Sequence, residues 1–343
     1  MAQFSLVAML PPILLAVPNV SEGRDAATIA RIGEAFAPRA EPRTPDPHAR
    51  APTAEAGREI RLLDVHSDAD HHRSVYTLAG LPRALADALV RGAAEAVRSI
   101  DVVSRFGGDA AERGAHPHVG AIDVVPLVYY DERARGAACA EALVVADRIA
   151  SDLGVPVLLY NELAGELPGR TRAELRRGGV GGLAARLAAD AAGGSGTPAV
   201  HPDFGPATLH PSAGATLVAA REPLVAFNLQ LRAPATLDDA RRVASLVREG
   251  GERGLPGLRA IAVGRGGGVA QVSMNVERPL ELPLAEVLNA VEALAPVASG
   301  ELVGLAPRAA LEGLSPDLPL PGFDPVRHVI ENVLALSAAS ETH

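Results

Sequence analysis

Leu258-Arg259-Ala260-Ile261-Ala262-Val263-Gly264-Arg265-Gly266-Gly267-Gly268-Val269-Ala270-Gln271-Val272-Ser273-Met274-Asn275-Val276 sets two apolar, β-prone runs about a glycine cluster. This predicts strands over 258–263 and 269–276 joined by a hairpin loop at 264–268. The loop resembles a phosphate cradle in composition, but the Lys-[Ser/Thr] of a P-loop is missing and a strand follows it. A hairpin is the better reading. Upstream, 237–249 has the apolar spacing of a helix, with Thr236 placed to cap its start and Gly250 past its end. A strand over 224–231 precedes that helix. Downstream, a helix over 284–294 leads to a strand over 301–305. The order is β-α-β-β-α-β.

The first half repeats it. Strands are expected over 13–21, 58–65, 74–79 and 121–130, with helices over 25–37 and 81–100. A helix over 137–153 and a strand over 155–160 follow. The fold class is therefore α+β: an α/β sandwich made of a tandem pair of ferredoxin-like βαββαβ subdomains. The expected division is 1–198 and 199–343. The first part carries a proline-rich, mobile insertion at 38–57 and an Arg-, Gly- and Ala-rich linker region at 165–198. The second ends in an amphipathic helix over 323–336. A crevice between such subdomains is a usual place for a small-molecule site.

Composition narrows the function. The 343 residues are 48% hydrophobic and 21% charged, with 3% aromatic and no Trp, so the core must be aliphatic. All basic residues other than histidine are arginine, which excludes a Schiff-base lysine. A formal charge of −9 argues against nucleic-acid or anionic-membrane partners, yet leaves room for a local arginine cluster that holds a small anion. Cys139 is the only cysteine, so an intrachain disulfide and a Cys-rich metal site are both excluded. The apolar N-terminal segment lacks a basic start, is broken by Pro11-Pro12 and shows no cleavage site. No long uninterrupted apolar run is present, and a cytoplasmic protein is expected.

The chemistry concentrates in Gly114-Ala115-His116-Pro117-His118-Val119-Gly120-Ala121-Ile122-Asp123. Pro117 stiffens the loop, and a rigid histidine is a natural proton-transfer group near neutrality. His116 and His118, two apart, would share a face of an extended segment, as a metal site needs, with Asp70, His71 and His72 as further ligands. No HExxH or CxxC pattern completes such a site, so no metal is expected. Asp68, Asp70 and Asp123 could orient a histidine; loop capping and strand-start polarity are their ordinary roles. No Ser lies in Gly-x-Ser-x-Gly. The loop Gly205-Pro206-Ala207-Thr208-Leu209-His210-Pro211-Ser212-Ala213-Gly214 is long, non-repetitive and rich in backbone groups able to meet a flat heterocycle.

Several stretches together resemble glutamate formimidoyltransferases. They are Val17-Pro18-Asn19-Val20-Ser21-Glu22-Gly23, Asp68-Ala69-Asp70-His71-His72-Arg73-Ser74-Val75, the His116 loop, Pro202 through Gly214, Gln271-Val272-Ser273-Met274-Asn275 and Phe323-Asp324-Pro325. The resemblance is to the stand-alone form without a cyclodeaminase domain. It implies transfer of a formimino group between N-formimino-L-glutamate and N-5 of tetrahydrofolate, in a homodimer. It implies His116 as the catalytic acid and base and a folate contact along Gly205 to Gly214; Asp68, Asp70, His118 and Asp123 are the supporting candidates. Both substrates carry glutamate carboxylates, for which Arg73 and Arg221 are the anchors expected. Asn19, Glu22, Asn228, Gln271 and Asn275 are the other pocket residues expected. The family usually has Arg where this chain has His118, and Asn where it has His72. A non-catalytic folate- or anion-binding paralogue and a metal-dependent hydrolase using His71, His72, His116 and His118 are the alternatives.

Overall fold

The computed structural model describes residues 12–38, 60–107, 117–165, 167, 169–191 and 200–340. The insertion expected at 38–57 and the catalytic candidate His116 lie outside these residues, Pro38 apart. In chain order the elements are β1 (Leu14–Ala16), β2 (Asn19–Val20), α1 (Ala26–Phe36), β3 (Arg61–Asp68), β4 (Arg73–Gly80), α2 (Ala84–Ser99), α3 (Val102–Gly107), β5 (Ile122–Val128), α4 (Arg135–Leu153), β6 (Val157–Asn161), α5 (Arg172–Leu175), α6 (Gly179–Ala191) and β7 (Thr216–Arg221). Then follow β8 (Val225–Leu231), α7 (Leu237–Val247), β9 (Leu258–Arg265), β10 (Val269–Val276), α8 (Leu284–Glu292), β11 (Val297–Val303), α9 (Pro325–His328) and α10 (Ile330–Ser340).

The central hairpin forms as its sequence requires. β9 and β10 pair antiparallel from Leu258↔Val276 to Arg265↔Val269. The sheet order is β11-β8-β10-β9, the arrangement of a split β-α-β repeat. Alternation sorts the side chains: Phe227, Leu229, Val272, Met274 and Val276 are buried under α7 and α8. Ala226, Asn228, Gln271, Ser273 and Asn275 alternate with them and turn the other way. Thr236 caps α7 with a full capping box to Asp239.

The first sheet runs β3-β4-β1/β2-β5-β7-β6. The strand expected over 13–21 is interrupted at Val17-Pro18, where Pro18 has no N–H to give; its two halves hold one place between β4 and β5. The expected division after residue 198 differs from the structure: β7 pairs parallel to both β5 and β6, so the first sheet runs on to Arg221. The linker region expected at 165–198, with a helical piece near 183–192, holds two helices, α5 and α6; α6 is the expected piece and α5 was not foreseen. Their Leu175, Leu183 and Leu187 pack on Leu158, Tyr160 and Leu217. The helix expected over 323–336 is two pieces, α9 and α10, with Val329 extended between them. Asp68 and its neighbours, expected in a loop, continue β3 as far as a turn at 69–72.

Helices α1, α2 and α4 cover one face of this sheet through Ile32, Phe36, Leu85, Leu89, Val145 and Ile149. α2 begins at Arg83, whose side chain makes no cap; buried Glu141 of α4 accepts the Arg83 and Ala86 amides instead, at 2.6 and 2.8 Å. Burial pushes the Glu141 carboxyl up. The opposite face of β1, β4 and β5 looks across to the polar face of the second sheet. Ile330 of α10 packs with Leu15, Ala79, Val128 and Leu305 at one end of this gap. Among the described residues no helix is long and apolar enough to cross a membrane.

Candidate functional site

The gap between the two sheets holds a cavity of about 80 Å³ that opens to solvent. Its floor alternates out of the first sheet: Asn19, Arg73, Val75, Thr77, Val124, Pro126, Val128 and Arg221. Asn275, Ala226 and Val303 close it from the second sheet, and Arg172 of α5 and Arg176 just past its end stand at its side. A capping box between Thr171 and Glu174 fixes α5, and spacing of four residues turns both arginines to one face.

Only one of these four cations is neutralised. Arg176 is ion-paired with Asp123, which is fully buried in β5 and also accepts the Val119 amide at 2.7 Å. Arg73, Arg172 and Arg221 have no carboxylate within ion-pair distance among the described residues. Burial, and then the charges of Arg176 and Arg172, press Arg73 down to about 10. Burial also brings Arg221 down to about 10, with the Arg172 charge adding to it. Both remain cationic at neutral pH. Three unpaired guanidiniums around one cavity make a strong anion field, since each presents a planar fork of donors.

A second polar cluster lies where β2, β4 and β5 meet. The His118 ring is 1% exposed and flanked at both nitrogens: Nδ1 lies 2.9 Å from the Ser21 hydroxyl and Nε2 3.1 Å from the His71 carbonyl. A carbonyl only accepts, so Nε2 carries the proton; the Ser21 hydroxyl beside Nδ1 donates its own hydrogen to the Gly120 carbonyl at 2.6 Å. Burial pushes the ring down to about 4, with Arg176 and Arg73 adding to the effect against the pull of Asp123. The Nδ1 of His72 accepts the Gly23 amide at 3.1 Å, and this ring too is pressed to about 4, by burial and by Arg105. Glu22 binds Arg105 at 3.1 Å and takes the Arg24 and Asp25 amides. Burial would raise its carboxyl, but these amides and charges together hold it low.

The sign of the pH dependence follows. His118 is neutral when folded, with its pKa below the unfolded value near 6.5. The unfolded chain therefore binds the extra proton between about pH 6.5 and 4. Stability is full above that window and is lost as pH falls through it. His118 alone is expected to cost about 2 kcal/mol between pH 7 and pH 5. Urea unfolding at the two values checks this: His118→Gln, which keeps one donor and one acceptor, should flatten the difference by about that amount.

Asp68 anchors the turn between β3 and β4. Its Oδ1 accepts the Asp70 and His71 amides at 2.8 and 2.9 Å. Its Oδ2 lies 3.0 Å from His71 Nδ1 and 3.3 Å from Arg265. Burial would raise its carboxyl, yet the His71 hydrogen bonds and the Arg265 charge hold it far below the usual carboxylate range.

The residues expected from sequence therefore separate into groups. Asn19, Arg73, Arg221 and Asn275 line the cleft together. His118, Asp68 and Glu22 form the buried framework at the strand ends, and Asp123 joins that framework to Arg176. Asn228 and Gln271 lie on the second sheet, both donating to Glu301, at 3.0 and 3.3 Å. Asp70 is about half exposed and faces Arg265 at 3.4 Å. The loop from Gly205 to Gly214 is not among the cleft-lining residues; Gly205, Pro206, Ala207 and Thr208 are exposed, while Leu209 packs inward. His210 organises the loop end. Its Nδ1 accepts the Ala213 amide at 3.0 Å, and its backbone exchanges two bonds with Gly214. The same end of the loop is sewn to the His118 segment by Ala121 N–H to the Ala213 carbonyl, 2.8 Å, and Ala215 N–H to the Val119 carbonyl, 2.9 Å.

Arg172, Arg176, Arg105, Ser21 and Arg265 were not expected. The four-residue spacing of Arg172 and Arg176 behind Thr171-x-x-Glu174 was the readable signal for the first pair. Among the described residues no group of three or more His, Cys, Asp or Glu could hold a metal ion. Protein groups flank both His118 nitrogens.

Known proteins bear on this arrangement. Residues 13–221 match a family described as the formiminotransferase domain, N-terminal subdomain. A glutamate formimidoyltransferase of Streptococcus pyogenes is 30% identical over 330 residues, covering 94% of this chain and 98% of its own. One from Thermoplasma acidophilum is 29% identical over 90% of this chain and 93% of its own. The formimidoyltransferase-cyclodeaminase of Gallus gallus is 34% identical over 86% of this chain, which spans 50% of that longer relative.

Proposed function

The chain belongs to the formiminotransferase family, and from this premise we propose that its inter-sheet cleft moves a formimino group between N-formimino-L-glutamate and N-5 of tetrahydrofolate. The observation that carries the reading in this chain is the trio of unpaired arginines, Arg73, Arg172 and Arg221, on one cavity. Formiminoglutamate is a dicarboxylate, and tetrahydrofolate ends in glutamate. Each carboxylate can take a bidentate, charge-assisted pair from a guanidinium. Such anchors hold two substrates in register, which converts a bimolecular step into an effectively unimolecular one.

The chemistry needs one proton shuttle. The N-5 lone pair attacks the formimino carbon and a C–N bond forms. A base takes the N-5 proton. The bond from that carbon to the glutamate nitrogen then breaks, and the same group, now an acid, returns the proton to the departing nitrogen. His116 is the residue we assign to both steps, on the stiff His-Pro-His segment. Proton transfer of this kind contributes about 10²–10⁴-fold. His118 is not a second shuttle in this reading: it is buried, neutral and flanked at both nitrogens, and its Nε2–H holds the 69–72 turn in place. We keep Asp68, Asp70 and Asp123 as supports and, although it lies outside the cleft lining, the 205–214 loop as the folate contact that the resemblance implies. A cytoplasmic homodimer belongs to the same reading and rests on the resemblance.

The test is a coupled assay with formiminoglutamate and tetrahydrofolate, comparing the wild type with His116→Ala. Turnover is expected in the wild type, with kcat at least about a hundredfold lower in the variant. Tetrahydrofolate binding without turnover on formimino or formyl donors would favour a binding paralogue and overturn the proposal.

A further inference from the structure

The glycine-rich hairpin of the second subdomain has so far had no role. Its Arg265 reaches across the gap between the sheets. One guanidinium meets three carboxylates: Asp68 at 3.3 Å and Asp70 at 3.4 Å in the first subdomain, and Glu301 at 3.2 Å in its own. Glu301 in turn lies 3.8 Å from His66 of the first sheet and accepts from Asn228 and Gln271. The Arg265 side chain is 22% exposed, on the wall of a second opening of about 370 Å³. Its partner Asp68 is buried and saturated: both amides of the turn, the His71 ring and Arg265 all converge on it.

We propose that Arg265 is a positioning residue for the transfer reaction: the second subdomain uses it to clamp the Asp68–His71 turn of the first. The path is continuous. Arg265 fixes Asp68, and Asp68 fixes the amide and ring of His71. The His71 carbonyl receives His118 Nε2–H. His118 lies two residues beyond His116 in the chain, across Pro117, whose ring fixes its own φ. A displacement of the turn is thus passed to the proton-transfer loop, where an error of about 1 Å can cost on the order of a hundredfold. The clamp is also asymmetric in charge: with Asp68, Asp70 and Glu301 around one cation, loss of Arg265 leaves buried Asp68 facing like charges without their counterion.

This inference rests on the proposed reaction, so the experiment carries one readout of the clamp and one of the chemistry. The full chain is prepared as wild type, Arg265→Gln, Arg265→Lys, Asp68→Asn and the Arg265→Gln/Asp68→Asn double variant. Hydrogen exchange of the peptide spanning 66–74 reads the turn without reference to activity. It is expected to speed up in Arg265→Gln and to return toward wild type in Arg265→Lys. In the coupled assay, Arg265→Gln is expected to lower kcat by about tenfold with KM for formiminoglutamate within about twofold. Arg265→Lys should recover most of it. The double variant should be no slower than Asp68→Asn alone, because the two residues act in series. Unchanged exchange at 66–74 in Arg265→Gln overturns the clamp. So does a double variant whose losses multiply, or a kcat left intact while only the melting temperature falls. Faster exchange in a protein that turns over neither donor would keep the clamp, overturn its catalytic purpose, and assign the failure to the reaction.

Discussion

Gly120→Ala is expected to cost the folded state about 4 kcal/mol, an effect large for a single methyl group. A Cβ at this position would sit 1.8 Å from the Ala215 carbonyl oxygen and 2.8 Å from its carbon. Both are backbone atoms, so no side-chain rotation can relieve the clash. Gly214 faces it across an isolated bridge, has φ of +72°, and would place its own Cβ 2.3 Å from the Val119 oxygen. The two segments are held together by the Ala121–Ala213 and Ala215–Val119 hydrogen bonds. Overpacking costs roughly 1–3 kcal/mol, and prising the segments apart sacrifices these two bonds at about 1 kcal/mol each. Urea titration measures the loss directly. Gly136→Ala is the matched control. Gly136 is exposed in α4 with nothing within 4 Å of the added methyl, so a gain of about 0.5–1 kcal/mol is expected there. Equal effects at the two positions would mean that the close approach is not a constraint.

The double substitution Arg73→Met/Arg221→Met is expected to lower kcat/KM for formiminoglutamate by about a thousandfold. A hydrogen bond to a charged group contributes roughly 1.5–3 kcal/mol, so two anchors give about 4 kcal/mol, and each 1.4 kcal/mol is a factor of ten. The loss should fall mainly on KM, as befits ground-state binding. Stability should move the other way. These arginines repel Arg172 and lack carboxylate partners, so methionine, which keeps much of the volume, should leave the melting temperature unchanged or raise it. A loss of activity with no loss of stability separates a ligand site from a structural one. A kcat/KM within tenfold of wild type would remove these arginines from substrate binding.

The doubled β-α-β-β-α-β order was legible because each hairpin and helix announces itself locally. The 258–276 segment turns on glycines, and α7 starts at Thr236 with Asp239 three residues on. β7 was not legible. Thr216-Leu217-Val218-Ala219-Ala220-Arg221 is buried on both faces from 216 to 220, so it shows no alternation and follows a loop without a break in composition. In the site, Arg73 and Arg221 could be read from substrate charge alone. Arg265 could not, because its partners Asp68 and Asp70 are remote in sequence and meet it only when the sheets face each other. His118 shows a further limit. Its spacing from His116 suited a shared metal-binding face, but the Ser21 hydroxyl and His71 carbonyl flank its ring inside the protein, and no pattern within its own segment reveals them.

The place of β7 between β5 and β6 also governs how the protein is made. β5 leaves the ribosome long before the strand that must lie beside it, and β6, emerging in between, has no permanent neighbour in the sheet until Thr216–Arg221 arrives. The nascent first subdomain therefore waits with a vacant slot flanked by two apolar strands, closed only by a pairing distant in sequence. Translation past Arg221 is the event that retires this exposed edge, so a pause shortly before it would prolong the interval in which another chain's strand could take the slot.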